Sequence, residues 1–359
     1  MRNNTSSTFR MLALLTLGVL SLTFSSCQDD QDDNEQIKVD GIYIVNEGQF
    51  GNNNGSITLM DPETGDVIHN YFADNNNGRS PGDVVQDLSF SRDMAYIVSN
   101  NSKTLAVIDK ESFEQKDEVP AINYPRQFMV VNQDKGYLTN GSSADSSRGH
   151  ILIIDLNDHS IADSIEVGRG PESMVKADNK VFVTNSGGWK IDNTVTVIDI
   201  SSDEVIQTVE VGDIPTDMVV DKNNNVWVFC KGLSQWSSGG PTDSKLMKIN
   251  ADNFNTSMIN TGKTSTGGYY PLAIGPNREM LYFVGKSGIY KMNISDSEAP
   301  NEPIIDRIAY GLDVNPENGT IYCLTTDFQT KGFVYRYDQE YSLKDSIQVG
   351  YNPNAVVFK

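Results

Sequence analysis

The side chains in this 359-residue chain best suited to hold a ligand are aromatic and amide groups in glycine-, serine- and asparagine-rich stretches. Phe50 with Asn52, Asn53 and Asn54 occupies one stretch, Trp189 and Trp236 two more, and Phe328 a fourth. Tyr124, Tyr269, Tyr270, Tyr310 and Tyr351 stand at the starts of strand-like segments, with Arg79 and Arg169 at corresponding places. Aromatic walls with a few guanidinium and amide groups suit a large, flat ligand bearing amides or sugars. Groups that could do covalent or metal chemistry are sparser. His69, His150 and His159 fall in an outer strand, at the start of a third strand and in a turn on the far face, so they do not converge on a metal. Asp83, Asp217 and Asp313 recur on innermost strands, where carboxylates could hold a cation or exchange protons. A water-filled acidic channel is the plainer expectation, so no catalytic residue, metal or cofactor is assigned. Cys230 and Cys323 fall in non-neighbouring units, and no disulfide between them is expected.

These groups need a scaffold, and the chain supplies one by repetition. Gly170-Pro171-Glu172-Ser173-Met174-Val175 is followed by Lys180 to Asn185, Thr194 to Asp199 and Val205 to Gly212, each a short alternating segment closed by turn residues. The pattern restarts at once at Asp213-Ile214-Pro215. The residue ending the third segment is Asp61, Asp109, Asp155, Asp199, Asn250, Asn293 and Asp338, with spacings of 48, 46, 44, 51, 43 and 45. Seven units of four strands at this period predict an all-β fold, a seven-bladed β-propeller over residues 40–359. The first unit opens on a second strand (Ile42 to Asn46) and the chain ends on a first (Asn352 to Phe358), so the C-terminal strand is expected to complete the N-terminal blade. Loops between second and third strands are the long ones, which places the binding groups on one rim.

Residues 1–26 carry Arg2 and Arg10 and a short apolar run from Met11 to Leu20, the pattern of a signal peptide rather than a membrane span. Phe24-Ser25-Ser26-Cys27 resembles a bacterial lipobox, which makes Cys27 the expected lipidation site. Residues 27–39 begin with an acidic run, read as a solvated tether. An acidic stretch directly after such a cysteine resembles the signal that sends lipoproteins of some Gram-negative bacteria to the cell surface. The formal net charge of −20 excludes a phosphate-backbone binder, so no nucleic acid is expected.

The Gly-x-Pro lead-in, the Val183-Thr184-Asn185 strand end and the Val197-Ile198-Asp199 third strand resemble the YncE-like propeller family across residues 40–359. With a lipid anchor and an aromatic rim, the whole is similar to the vitamin B12 (cobalamin)-binding propeller lipoproteins. That resemblance implies a non-enzymatic, lipid-anchored outer-membrane protein, exposed at the surface, that captures a corrinoid and passes it to a TonB-dependent outer-membrane transporter. A glycan or a protein is the alternative ligand, because Trp189 and Trp236 would suit sugar faces equally. A propeller hydrolase or lactonase is the third reading, since Asp83, Asp217 and Asp313 supply part of such a site.

Overall fold

The structure, a computed structural model, describes residues 40–359 except 92, 120–121, 143–147, 189 and 265–269. The expected signal peptide, Cys27 and the tether lie outside the described residues, as do Trp189 and Tyr269. Seven antiparallel sheets follow one another in chain order, and the last strand, Pro353–Phe358, joins the first sheet. Its register against Ile42–Asn46 runs from Ile42↔Phe358 to Asn46↔Pro353, which is the closure expected from the sequence. Between each pair of neighbouring blades lies one apolar cluster, seven in all among the described residues, and the last joins Ile42 and Ile44 to Tyr322, Leu324 and Val356. Second strands are buried on both faces because blades pack face to face, as in Lys180–Asn185, whereas an outermost strand such as Ile161–Glu166 is mostly exposed.

The repeat marker has a local physical cause. In each blade the Asp or Asn ending the third strand turns its side-chain oxygen onto backbone N–H groups two to four residues ahead: Asp61 accepts from Glu63 and Thr64, Asp199 from Ser201 and Ser202, Asn250 from Asp252 and Asn253. Short side chains that mimic a turn carbonyl are the residues that do this. These hydrogen bonds hold the exposed carboxyls of Asp61, Asp109 and Asp199 below the usual range.

Two places depart from the four-strand expectation. Blade six has three strands, Leu272–Ile274, Met280–Val284 and Ile289–Asn293, plus one bridge from Ile289 to Ile305. Pro300 and Pro303, which lack backbone donors, interrupt the segment that would pair there. In blade one the outer strand is only Val67–Ile68, and a short helix, Tyr71–Asn75, follows. Its Phe72 is buried near Phe113 of the next blade, and Asn76 bonds the carbonyls of Phe72 and Phe113 and the N–H of Gln115. His69 therefore lies just past the outer strand rather than in it.

Around the axis each inner strand presents its edge to the channel, and at four of them a side chain of the preceding blade reaches across to a backbone N–H. Asp87 accepts from the Phe128 N–H (2.9 Å), Gln127 from Met174 (2.5 Å), Asp217 from Leu272 (2.9 Å) and Asp313 from Val356 (2.8 Å). The channel carboxylates are thus Asp87, Asp217 and Asp313. Asp83, expected in that set, sits four residues earlier in the lead-in, accepting from Gly51 N–H and the Asn101 amide. The cause is a shift of register in blade two: Val85, not Pro81, takes the strand-opening place that Pro125, Pro171 and Pro215 hold elsewhere, so Arg79 is not equivalent to Arg169.

Removing residues 351–359 should abolish cooperative folding, read as loss of a single thermal transition by circular dichroism; an unchanged transition would contradict closure by Pro353–Phe358. Burial pushes Asp87 up to about 7, Asp217 to about 6 and Asp313 to about 7. The folded state thus binds these protons more tightly than the unfolded chain, whose carboxyls ionise near pH ~4. Their contribution to stability is greatest below about pH 4, declines as pH rises, and levels off above about 7. The lowered surface carboxyls act oppositely, but only in more acidic solution. Thermal midpoints should therefore fall from about pH 5 to 8, and Asp313→Asn should flatten the profile; parallel profiles for the two proteins would contradict the assignment.

Candidate ligand-binding site

The long second-to-third loops and the lead-ins to the inner strands share one rim, and the chain there is bent into unusual backbone. The residue before the inner strand has a positive φ in five blades: Val84 (57°), Tyr124 (39°), Gly170 (55°), Ile214 (53°) and Asn352 (52°). At Gly170 a Cβ would also stand 2.2 Å from the Gly188 backbone nitrogen, so both conformation and space call for glycine. β-Branched Val84 and Ile214 in this region are strained, a condition that packing must hold in place. The bend sends the second residue of five inner strands toward the channel mouth, Gln86, Arg126, Glu172, Thr216 and Asn354, and Tyr270, two residues before the Leu272–Ile274 strand of blade six, joins them.

Two adjoining hollows open at this mouth. The central one, about 470 Å³, is walled by Tyr270 and Tyr310 with Thr216, Asp217, Lys231 and Asn354 below and between them. The other, about 440 Å³, lies over blades two to four and is lined by Phe50, Val84, Asn100, Asn101, Tyr124 and Ser142. Arg126, Glu172, Ser186 and Gly188 belong to both and form the ridge between them.

That ridge is part of one chain of hydrogen bonds and an ion pair spanning five blades. Tyr310 OH and Gln86 Nε2 each donate to the Glu47 carboxylate at 2.8 Å. Arg126 Nη1 donates to Gln86 Oε1 (2.8 Å) and its Nε lies 3.6 Å from Glu172 Oε1. Ser186 Oγ donates to Glu172 Oε2 (2.8 Å). Glu47 is buried, and desolvation raises its pKa despite the Tyr310 and Gln86 donors. Burial lowers the pKa of Lys231, whose ammonium stands 5.5 Å over the Tyr270 ring.

Of the residues expected from the sequence, Phe50 and Tyr124 line the outer hollow and Tyr270 and Tyr310 the central one. Phe328 packs edge-on to Tyr310 with ring centroids 5.3 Å apart. The others do not meet them. Trp236 is 87% exposed and lines neither hollow, and Asn53 is exposed with φ 50°. Arg79 donates to the Asn76 carbonyl, while Arg169 and Tyr351 line two separate hollows. Tyr270 was expected at the same place as Tyr124 and Tyr310; the Leu272↔Phe283 and Leu312↔Cys323 registers keep Tyr270 level with Tyr310, whereas the Phe128↔Leu138 register sets Tyr124 two residues earlier. Pro271 is therefore not a strand-opening proline. Glu47, Gln86, Arg126, Glu172 and Lys231 were missed. The signal for four of the ring positions was present, since Arg126, Glu172, Thr216 and Asn354 each directly follow a strand-opening proline. Among the described residues no group of three His, Cys, Asp or Glu side chains is arranged to hold a metal. Cys230 and Cys323 are free and buried, their thiols pushed up to about 12 by desolvation.

Solved structures share this fold at low identity. A quinoprotein alcohol dehydrogenase-like protein from Bacteroides thetaiotaomicron is 16% identical with a TM-score of 0.66, over 89% of this chain and 78% of that one. The periplasmic gluconolactonase of Pseudomonas aeruginosa is 14% identical with a TM-score of 0.62, over 88% and 99%. A functionally unknown protein from Desulfotomaculum acetoxidans is 10% identical with a TM-score of 0.62, over 89% and 98%. Identities this low carry the fold and nothing of the activity. Among curated proteins none matches the sequence. One sequence family, described as "Domain of unknown function (DUF5074)", matches residues 40–359, the whole propeller, and the chain belongs to it.

Proposed function

We propose that this protein is a lipid-anchored, surface-exposed outer-membrane binding protein that captures a corrinoid at the propeller mouth and passes it to a TonB-dependent outer-membrane transporter. The observation that carries the reading is the pair of contiguous hollows joined over the Arg126–Glu172–Ser186 ridge. A corrinoid offers a broad ring for the aromatic walls, Phe50 and Tyr124 on one side and Tyr270 and Tyr310 on the other. Its peripheral amides both donate and accept, which suits a rim rich in amides, hydroxyls and carboxylates such as Gln86, Asn100, Ser186 and Glu172. Binding of this kind asks for no bond-breaking step, and the protein's role is capture and orientation. The anchor at Cys27 and the acidic tether, read from residues 1–39, would keep the propeller at the membrane, within reach of a transporter.

Titration calorimetry of the propeller unit, Ile37–Lys359, with cyanocobalamin tests this. One-to-one binding is expected. Phe50→Ala and Tyr124→Ala should each weaken it by about 1 kcal/mol, close to the worth of one aromatic contact, while Trp236→Ala leaves it unchanged. No heat and no change in intrinsic fluorescence would overturn the corrinoid reading, and a heat signal with oligosaccharides instead would move the mouth to glycan capture.

A further inference from the structure

Cations are scarce in a chain of net charge −20, yet Arg126, Lys190 and Lys231 all line the central hollow. Of these, Arg126 is held by Gln86 and Glu172. Lys231 follows Cys230 at the end of a buried second strand, and its N–H donates to the Ile214 carbonyl at 2.9 Å. Its ammonium stands over the Tyr270 ring, and no carboxylate among the described residues lies within ion-pair distance of it. The acids that share the hollow are engaged elsewhere. Glu172 is held by Arg126 and Ser186, Glu47 by Tyr310 and Gln86, and Asp217 by the N–H groups of Leu272 and Met218. Glu172 favours the charged ammonium from beyond ion-pair distance, but burial outweighs it, and an anion brought by a ligand would offset the remaining cost of burying the cation.

We propose that the Lys231 ammonium is the anion subsite of the central hollow and that it takes a phosphodiester. This rests on the corrinoid reading above. The peripheral side chains of a complete corrinoid are neutral amides, and the phosphodiester joining the nucleotide arm is its one anionic group. Pairing it with Lys231 sets the arm over the channel axis, between Tyr270 and Tyr310, and leaves the ring to the outer hollow and its aromatic wall. A monoanion met by one ammonium makes charge-assisted hydrogen bonds whose strength falls with added salt. The protein would thereby favour corrinoids that retain the nucleotide arm over those that have lost it.

The test compares cyanocobalamin with dicyanocobinamide, which lacks the phosphodiester and the nucleotide, on the purified full-length protein and on Lys231→Gln and Lys231→Arg, with thermal melts to confirm folding. Wild type should bind cyanocobalamin at least about tenfold more tightly, and Lys231→Gln should remove about tenfold of that affinity while changing cobinamide binding by less than about twofold. Lys231→Arg should recover part of the loss. Equal affinities of wild type for the two corrinoids, or equal effects of Lys231→Gln on both, would overturn the subsite and leave corrinoid capture standing. If Lys231→Gln does not fold, the wild-type comparison at low and high salt decides alone. Absence of binding by either corrinoid would overturn the corrinoid reading and this inference with it.

Discussion

Seven inner strands facing a common axis each carry an edge whose N–H groups have no strand beyond them, and the fold depends on satisfying those groups. Side chains from the preceding blade do so through Asp87, Gln127, Asp217 and Asp313, each reaching one backbone N–H of the next inner strand. A buried donor left unpaired costs more than a made bond gains, so this position demands an acceptor of short reach. The same demand places carboxyls in a desolvated channel, where their proton affinity rises. The acidity of the channel thus follows from how the ring is fastened, without invoking chemistry at the axis.

Fastening the inner strands also builds the mouth. With the edges fixed, each lead-in must bend sharply to begin its strand, and the bend is taken up by left-handed backbone at Val84, Tyr124, Gly170, Ile214 and Asn352. The residue two places on then projects into the opening, and neighbouring blades are close enough for Gln86, Arg126 and Glu172 to bond one to the next. Rigid strands therefore carry Gln86, Arg126 and Glu172, and the loops add Ser186, Gly188 and the outer aromatic wall. A ridge held this way presents its donors and acceptors with little ordering left to do on binding.

Much of this was legible in the sequence where one local interaction repeats. The period could be measured because each outer turn needs an Asp or Asn at the third-strand end, from Asp61 to Asp338, and closure followed from which strand type stood at each end of the propeller. Legibility failed where a proline stood out of register. Pro81 and Pro271 look like strand openers, but Val85 fills that place in blade two, and in blade six Pro271 stands two places past it, just before Leu272–Ile274. Those two misreadings hid Asp87, put Asp83 in its place and misplaced Tyr270. The ridge was missed for a different reason: Gln86, Arg126 and Glu172 are polar residues at ordinary strand positions and Glu47 one just past a strand end, and only the ring brings them together. Trp236 misled because a tryptophan in a glycine-rich loop suggests a platform, while the loop carries it clear of both hollows.

On the corrinoid reading, one ligand spans both hollows across the Arg126–Glu172–Ser186 ridge. A crystal structure of the protein grown with cyanocobalamin tests it most directly. Density is expected for a single corrinoid seated on the ridge, with Phe50 and Tyr124 on one side and Tyr270, Tyr310 and Lys231 on the other. A corrinoid bound away from that ridge, or an occupied propeller mouth holding a different class of molecule, would contradict it.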